Sequence, residues 1–274
     1  SYVLAIGGGA VLDAVGLGAA LVHRGARFVR MPSTVLAQND AGIGVKNGVN
    51  AYGQKNFLGC FAPPHAVVND LDLLDTLSLR QWRSGVSEAV KVACIKDAGF
   101  LAFLEEHAAA LARRERAPME TLVRECARLH MEHTRTCGDP FETGNARPLD
   151  FGHWSAHWLE MASDGAVTHG EGVAIGLAID VLYAWRQGLV AAEDVDRVLA
   201  CLKGAGFALW LDLLEAKDAH GAPAIFAGLD RFREHLGGRL TLTLPGPLGE
   251  RHEVHAVDLT CMSEAIDALR RRAR

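Results

Sequence analysis

YVLAIGGGAVLDAVGLGAALVHRG, residues 2–25, decides how the rest of the chain is read. Residues 2–6 are a short apolar run, Gly7, Gly8 and Gly9 stop it, and the apolar positions that follow recur at helical spacing. Strand, glycine turn and helix in that order point to a parallel α/β sheet. Three glycines at such a turn let backbone N–H groups approach a phosphate at a helix N-terminus, where the helix dipole also favours negative charge. The run is not the full GxGxxG fingerprint, so a plain tight turn is the competing reading.

Working outward, RFVRM (27–31) ahead of Pro32 and HAVVND (65–70) are two further strand candidates. Between them the Gly- and Asn-rich stretch 38–64 reads as a long loop. From about residue 78 the period changes, and four segments carry apolar residues at helical spacing: RQWRSGVSEAVKVACIKDAGF, METLVRECARLHMEHTRTC, LDFGHWSAHWLEMA and HGEGVAIGLAIDVLYAWRQG. Only RLTLTL suggests a strand there. The expected organisation is a Rossmann-like α/β nucleotide-binding domain over 1–77 and a mainly helical domain over 78–274. Its sheet holds about three strands where about five or six are usual, so the first strands are expected to be missing from this sequence.

Composition bounds the function. The 274 residues, 49% hydrophobic and 22% charged, suffice for a large core. A net charge of −5, with no dense basic block except the terminal RRRAR, removes the electrostatic case for a nucleic-acid partner. No uninterrupted apolar run is long enough to span a bilayer. Six scattered cysteines with no close pair fit neither a disulfide framework nor a thiolate zinc site, and point to reduced thiols in cytoplasm.

Three places carry chemistry. In GVKNGVNAYGQKNFLG, Lys46 and Lys55 stand among glycines with Asn47, Asn50 and Asn56 interleaved. That is either a solvated surface loop or a grip for phosphate and hydroxyls. Glu88 and Lys91, three apart in GVSEAVKVACIKD, are either a surface helix pair or, given the apolar residues around them, a buried carboxylate that needs a cation or a metal. His153 and His157, four apart, share a helix face, and His169 falls just before an apolar helix. Spacing picks His153 and His157 as a ligand pair with Glu88 as a candidate third, against the reading that the histidines are ordinary core or surface residues.

Taken in order, IGGGAVLDAVG, HRGARFVRMPSTVLAQNDAGIGVKNGVN, GQKNFLG, SEAVK, FGHWSAH and HGEGVAIG resemble the 3-dehydroquinate synthase family of sugar-phosphate cyclases, from residue 2 to about 185. The resemblance implies that fold, an NAD-binding α/β domain and a helical metal- and substrate-binding domain with the site in the cleft between them. It implies a divalent metal, Zn²⁺ or Co²⁺, on Glu88, His153 and His169, with His157 facing the substrate in place of the adjacent-pair reading. Gly7, Gly8, Gly9, Asp13, Ser33, Thr34, Lys46, Lys55, Leu73 and Thr76 would line NAD, with Asp40 nearby. Arg24, Lys46, Lys55, Asn56, Lys91 and His157 would hold a small sugar phosphate. A homodimer is implied, with Arg24 as the residue a neighbouring subunit could contribute. The implied reaction is redox-neutral: transient oxidation by NAD, phosphate elimination, return of the hydride and aldol closure to a carbocycle.

The sequence departs from that family in several places. Asp150 stands where members acting on the shikimate-pathway substrate usually have Asn. Ala146 holds an arginine position, with Arg147 beside it. Leu129 and His130 lie where a lysine is expected, and Arg231 and Arg233 stand in for a C-terminal lysine pair. Fewer cations suit a substrate without a carboxylate, so a sedoheptulose 7-phosphate cyclase of the valiolone type is the alternative, although His157 stands where that subgroup has proline. A metal-dependent polyol dehydrogenase, or a partial protein that only binds ligand, complete the range of readings.

Overall fold

The computed structural model describes residues 1–52, 54–141 and 147–273, with side chains for all of these except Gln54, Lys55 and His235. Two compact units emerge: Ser1–Val86 with Arg116–Thr143, and Ser87–Glu115 with Gly144–Arg274. The chain therefore leaves the first unit within a helix, beyond the expected division at 77, and returns to it for one more helix.

In the first unit β1 (Tyr2–Gly7), α1 (Gly9–Leu21) and β2 (Arg27–Pro32) follow the glycine-turn pattern. β1 pairs in parallel with β2, from Tyr2 opposite Arg27 to Gly7 opposite Pro32. Strands β3 (Lys46–Ala51) and β4 (Gln54–Phe61) come next. β5 (Ala66–Val67) then completes a parallel sheet of order β1-β2-β5, and is shorter than the expected strand over 65–70. Ala5, Leu12, Ala19, Phe28 and Ala37 form the buried cluster between sheet and α1, while Tyr2, Leu4 and Ile6 on the alternate positions of β1 are exposed.

The stretch read as a loop is ordered differently. Ala37–Ala41 is a widened helical turn, and β3 and β4 form an antiparallel ribbon with Lys46 opposite Phe61 and Gly48 opposite Gly59. The anchor is Arg30, wholly buried on β2. Its guanidinium donates to the carbonyls of Gly42 (3.1 Å), Gly44 (2.7 Å) and Lys46 (3.1 Å) and to Asn47 Oδ1 (2.6 Å). α1 lies so close to β3 that a Cβ on Gly16 would stand 1.9 Å from Asn47 Oδ1, so only glycine fits.

α2 (Leu79–Lys96) begins in the first unit and ends in the second, α3 (Ala98–Ala112) belongs to the second, and α4 (Arg116–Thr136) to the first. α4 packs on the 37–41 turn, where His130 Nδ1 lies 3.1 Å from Asp40 Oδ1. The second unit adds α5 (His153–Ala162), α6 (His169–Arg186), α7 (Ala192–Gly204) and α8 (Ala227–His235). β6 (Leu242–Pro245) pairs antiparallel with β7 (Arg251–Val254), which gives the RLTLTL candidate its partner, and α9 (Leu259–Ala273) closes the unit. Asp180 apart, α6 is apolar on all sides and buried from Gly172 to Ala184, so it is the central helix, packed by α5, α7, α9 and β6. Among the described residues no helix is long and apolar enough to cross a membrane.

Candidate functional site

Two close helix contacts build the site in the second unit. α5 and α6 approach through glycines: a Cβ on Gly176 would stand 2.0 Å from Gly152 O, and one on Gly172 would stand 3.1 Å from Ala156 O. Gly152, at φ +79, turns the chain into α5, so His153 becomes its first residue. At the start of α6, Glu171 reaches back to accept from Thr168 N–H (2.9 Å), which sets His169 as its first residue. The apolar surroundings of Glu88 on α2 do bury it: Glu88 and Lys91 are 0% and 1% exposed, and the Lys91 ammonium is paired with Glu88 Oε2.

Glu88, His153 and His169 each offer a ligand atom within 4.8 Å of the others. His169 Nε2 lies 3.0 Å and His153 Nε2 3.6 Å from Glu88 Oε1. Two ligands about 2.0–2.1 Å from a tetrahedral Zn²⁺ stand about 3.4 Å apart, so these separations bracket what one ion requires. Both rings are held from behind. His153 Nδ1 sits 3.1 Å from Phe151 O and His169 Nδ1 2.8 Å from Glu160 Oε1. An Nδ1–H donated to each acceptor leaves each Nε2 with a lone pair, within 3.6 Å of Glu88 Oε1. Burial first, and the nearby Lys91 ammonium second, lower the His153 imidazole to about 4, so it is neutral at ordinary pH as a ligand must be. The chemistry and spacing of this donor set fit a divalent cation.

His157, one turn along α5, meets the His153 ring edge to face with centroids 5.5 Å apart. Among the described residues, the pair that helical spacing picks does not enter one ligand group. His157 instead joins Glu160 and His169 in a second cluster. A second ion there would need His169 to give up both ring protons, whereas the 2.8 Å contact to Glu160 is a normal hydrogen bond.

The remaining expected residues lie in the first unit. Ser33 N–H donates to Gly7 O (2.9 Å), Thr34 Oγ1 accepts from Ala37 N–H (3.1 Å), and a Cβ on Gly8 would crowd Thr34. Among the described residues no side chain caps the N-terminus of α1, whose Val11 and Leu12 N–H groups donate to Gly8 O (both 3.1 Å). Asp13 is raised to about 6 by burial, with Arg30 opposing and Asp40 adding to the shift. Gln38, which donates to Pro32 O and Asp70 O, ties the 37–41 turn carrying Asp40 to the Leu71–Thr76 turn carrying Leu73 and Thr76. Lys46 and Asn56 are on the ribbon, both exposed, and Arg24 is exposed in the turn after α1. The side chain of Lys55 and the Ala146 position lie outside the described residues.

A family model described as the N-terminal part of 3-dehydroquinate synthase matches residues 1–84, and one described as its C-terminal part matches residues 85–224. The chain belongs to the 3-dehydroquinate synthase family. It is 37% identical over 275 residues, 99% of the chain, to a 2-epi-5-epi-valiolone synthase of Streptomyces glaucescens, of which it spans 69%. It is 35% identical over 269 residues, 97% of the chain, to a 3-dehydroquinate synthase of Dichelobacter nodosus, of which it spans 71%. Among solved structures it is similar to the 2-epi-5-epi-valiolone synthase of Streptomyces hygroscopicus subsp. jinggangensis with NAD⁺ and Zn²⁺ bound. That match has a TM-score of 0.89 and 32% identity, and covers 99% of this chain and 74% of the other.

Two carboxylates of this 3-dehydroquinate synthase family member escaped the reading of its sequence. Glu160 had a usable signal, since it lies one turn beyond His157 on the helix that carries His153. Asp180 had only one: an acidic residue inside an otherwise apolar helix.

Proposed function

We propose that the protein is a sugar-phosphate cyclase using NAD and Zn²⁺ or Co²⁺, which eliminates phosphate from a heptulose phosphate and closes the ring by an intramolecular aldol step. The observation that carries the reading is the convergence of His153 Nε2 and His169 Nε2 on Glu88 Oε1. When bound, the two groups supply acidification of a ring hydroxyl and reversible hydride transfer, so no net oxidation results.

Glu88, His153 and His169 would hold the cation and, being three, leave a position open to a substrate oxygen. Lys91, buried against Glu88, would hold an anionic oxygen, and His157 would exchange a proton with a substrate hydroxyl. Gly7, Gly8 and Gly9 with the uncapped start of α1 would receive the NAD pyrophosphate, flanked by Asp13, Ser33, Thr34, Asp40, Leu73 and Thr76. Arg24, Lys46, Lys55 and Asn56 would grip the sugar phosphate. The same reading makes the protein a cytoplasmic homodimer in which Arg24 of a second copy completes the site.

Two observations favour sedoheptulose 7-phosphate over a carboxylated heptulose. Asp150 stands where members acting on the shikimate-pathway substrate usually have Asn, and its negative charge suits a substrate without a carboxylate. Leu129 and His130 stand in the neighbourhood where the resemblance expects a lysine, and His130 Nδ1 lies 3.1 Å from Asp40 Oδ1. Phosphate release from each heptulose phosphate, with NAD and Zn²⁺ supplied, tests this. Release from sedoheptulose 7-phosphate with no net NADH is expected. Release only from the carboxylated substrate would reverse the preference, and steady NADH from a polyol without phosphate release would replace a cyclase by a dehydrogenase.

A further inference from the structure

Asp180 is a carboxylate in the middle of the buried central helix α6, 1% exposed between Ile179 and Val181. Such a group is costly to bury unless its oxygens are engaged. They are engaged by two N–H donors: Oδ2 accepts from Gly152 N–H (3.1 Å) and Oδ1 from Trp154 Nε1–H (2.8 Å). Those donors belong to the residues on either side of His153. Gly152 is the left-handed residue that starts α5, its carbonyl packed on Gly176, and the Trp154 indole is buried. The grip is therefore on the backbone just before His153 and on the side chain just after it.

We infer that Asp180 is a positioning residue for the metal site, holding Gly152 and Trp154 so that His153 Nε2 points at the cation position shared with Glu88 and His169. The inference rests on the reading of those three residues as metal ligands. It gives α6 two roles: its first residue, His169, is a ligand, and Asp180, three turns on, aims the other imidazole. A packing role alone would be met by an apolar side chain of similar volume, whereas this arrangement needs an acceptor for each donor.

The test uses the full chain and the variants Asp180→Ala, Asp180→Asn and Trp154→Phe. Each metal-free protein is checked by circular dichroism, then titrated with Co²⁺ alone against a chromophoric chelator while the visible Co²⁺ bands are recorded. Asp180→Ala is expected to weaken Co²⁺ binding about 10- to 100-fold and to shift the bands. Asp180→Asn, which keeps one acceptor oxygen, should fall between it and the unaltered protein, and Trp154→Phe should shift the same bands. Folded variants with unaltered affinity and bands would overturn the inference. If Asp180→Ala does not fold, the other two decide by the same criterion. An unaltered protein that takes up no Co²⁺ would overturn the ligand reading itself, a result distinct from variants that bind as it does.

Discussion

His169 has a carboxylate on each ring nitrogen, Glu88 at Nε2 and Glu160 at Nδ1, both within 3.0 Å. The two contacts are unequal in kind. Glu160, partly exposed, accepts from a proton-bearing nitrogen, while Glu88, fully buried, faces a nitrogen whose lone pair a cation would receive. Glu160→Ala should therefore lower Zn²⁺ affinity about 10- to 100-fold in a chelator competition, and Glu160→Gln, which keeps an acceptor, much less. Unchanged affinity in Glu160→Ala would mean that His169 is aimed by packing alone. Glu88, His153 and His169 were expected as a set from the ordered family motifs around them, and their ligand atoms lie within 4.8 Å of one another. Helical spacing alone points to His153 and His157, which share a face of α5, whereas the residues grouped with His153 come from α2 and α6.

The pairing of α5 with α6 was half legible. HGEGVAIG shows glycines four apart at Gly172 and Gly176, a spacing that lets helices approach, but which helix would pack there could not be read from a local pattern. Asp180, inside that contact, is raised from 3.8 to about 7 by burial, with the bonds from Trp154 and Gly152 opposing. A folded carboxyl that holds its proton more tightly than the unfolded one contributes stability that is fully present below about pH 4. That contribution is lost as pH rises through about 7. Metal-free protein should thus lose roughly 2–3 kcal/mol between pH 5 and pH 8 relative to its own Asp180→Asn variant, measured by urea unfolding. Parallel pH profiles would show that this carboxyl does not titrate in that window. The ribbon β3–β4 was illegible for a different reason: Gly and Asn have low strand propensity, and the pairing is fixed from outside by the buried Arg30 guanidinium.

At the scale of the molecule, the strand–glycine turn–helix at the start predicted a parallel sheet and the change of period near 78 predicted a helical remainder, and both are found. The return of Arg116–Thr143 to the first unit was not legible, because an amphipathic helix does not say which core it faces. Glu88, His153 and His169, from α2, α5 and α6, all belong to the second unit, so a metal site built on them would require only that unit's internal packing. The most direct test is metal stoichiometry of the full chain after chelation and reloading with Zn²⁺, alongside Glu88→Gln, His153→Ala and His169→Ala. One tightly held ion per chain, lost in each folded variant, is the predicted result; an unaltered protein that retains no ion, or variants that retain it as well as the parent, would contradict the account.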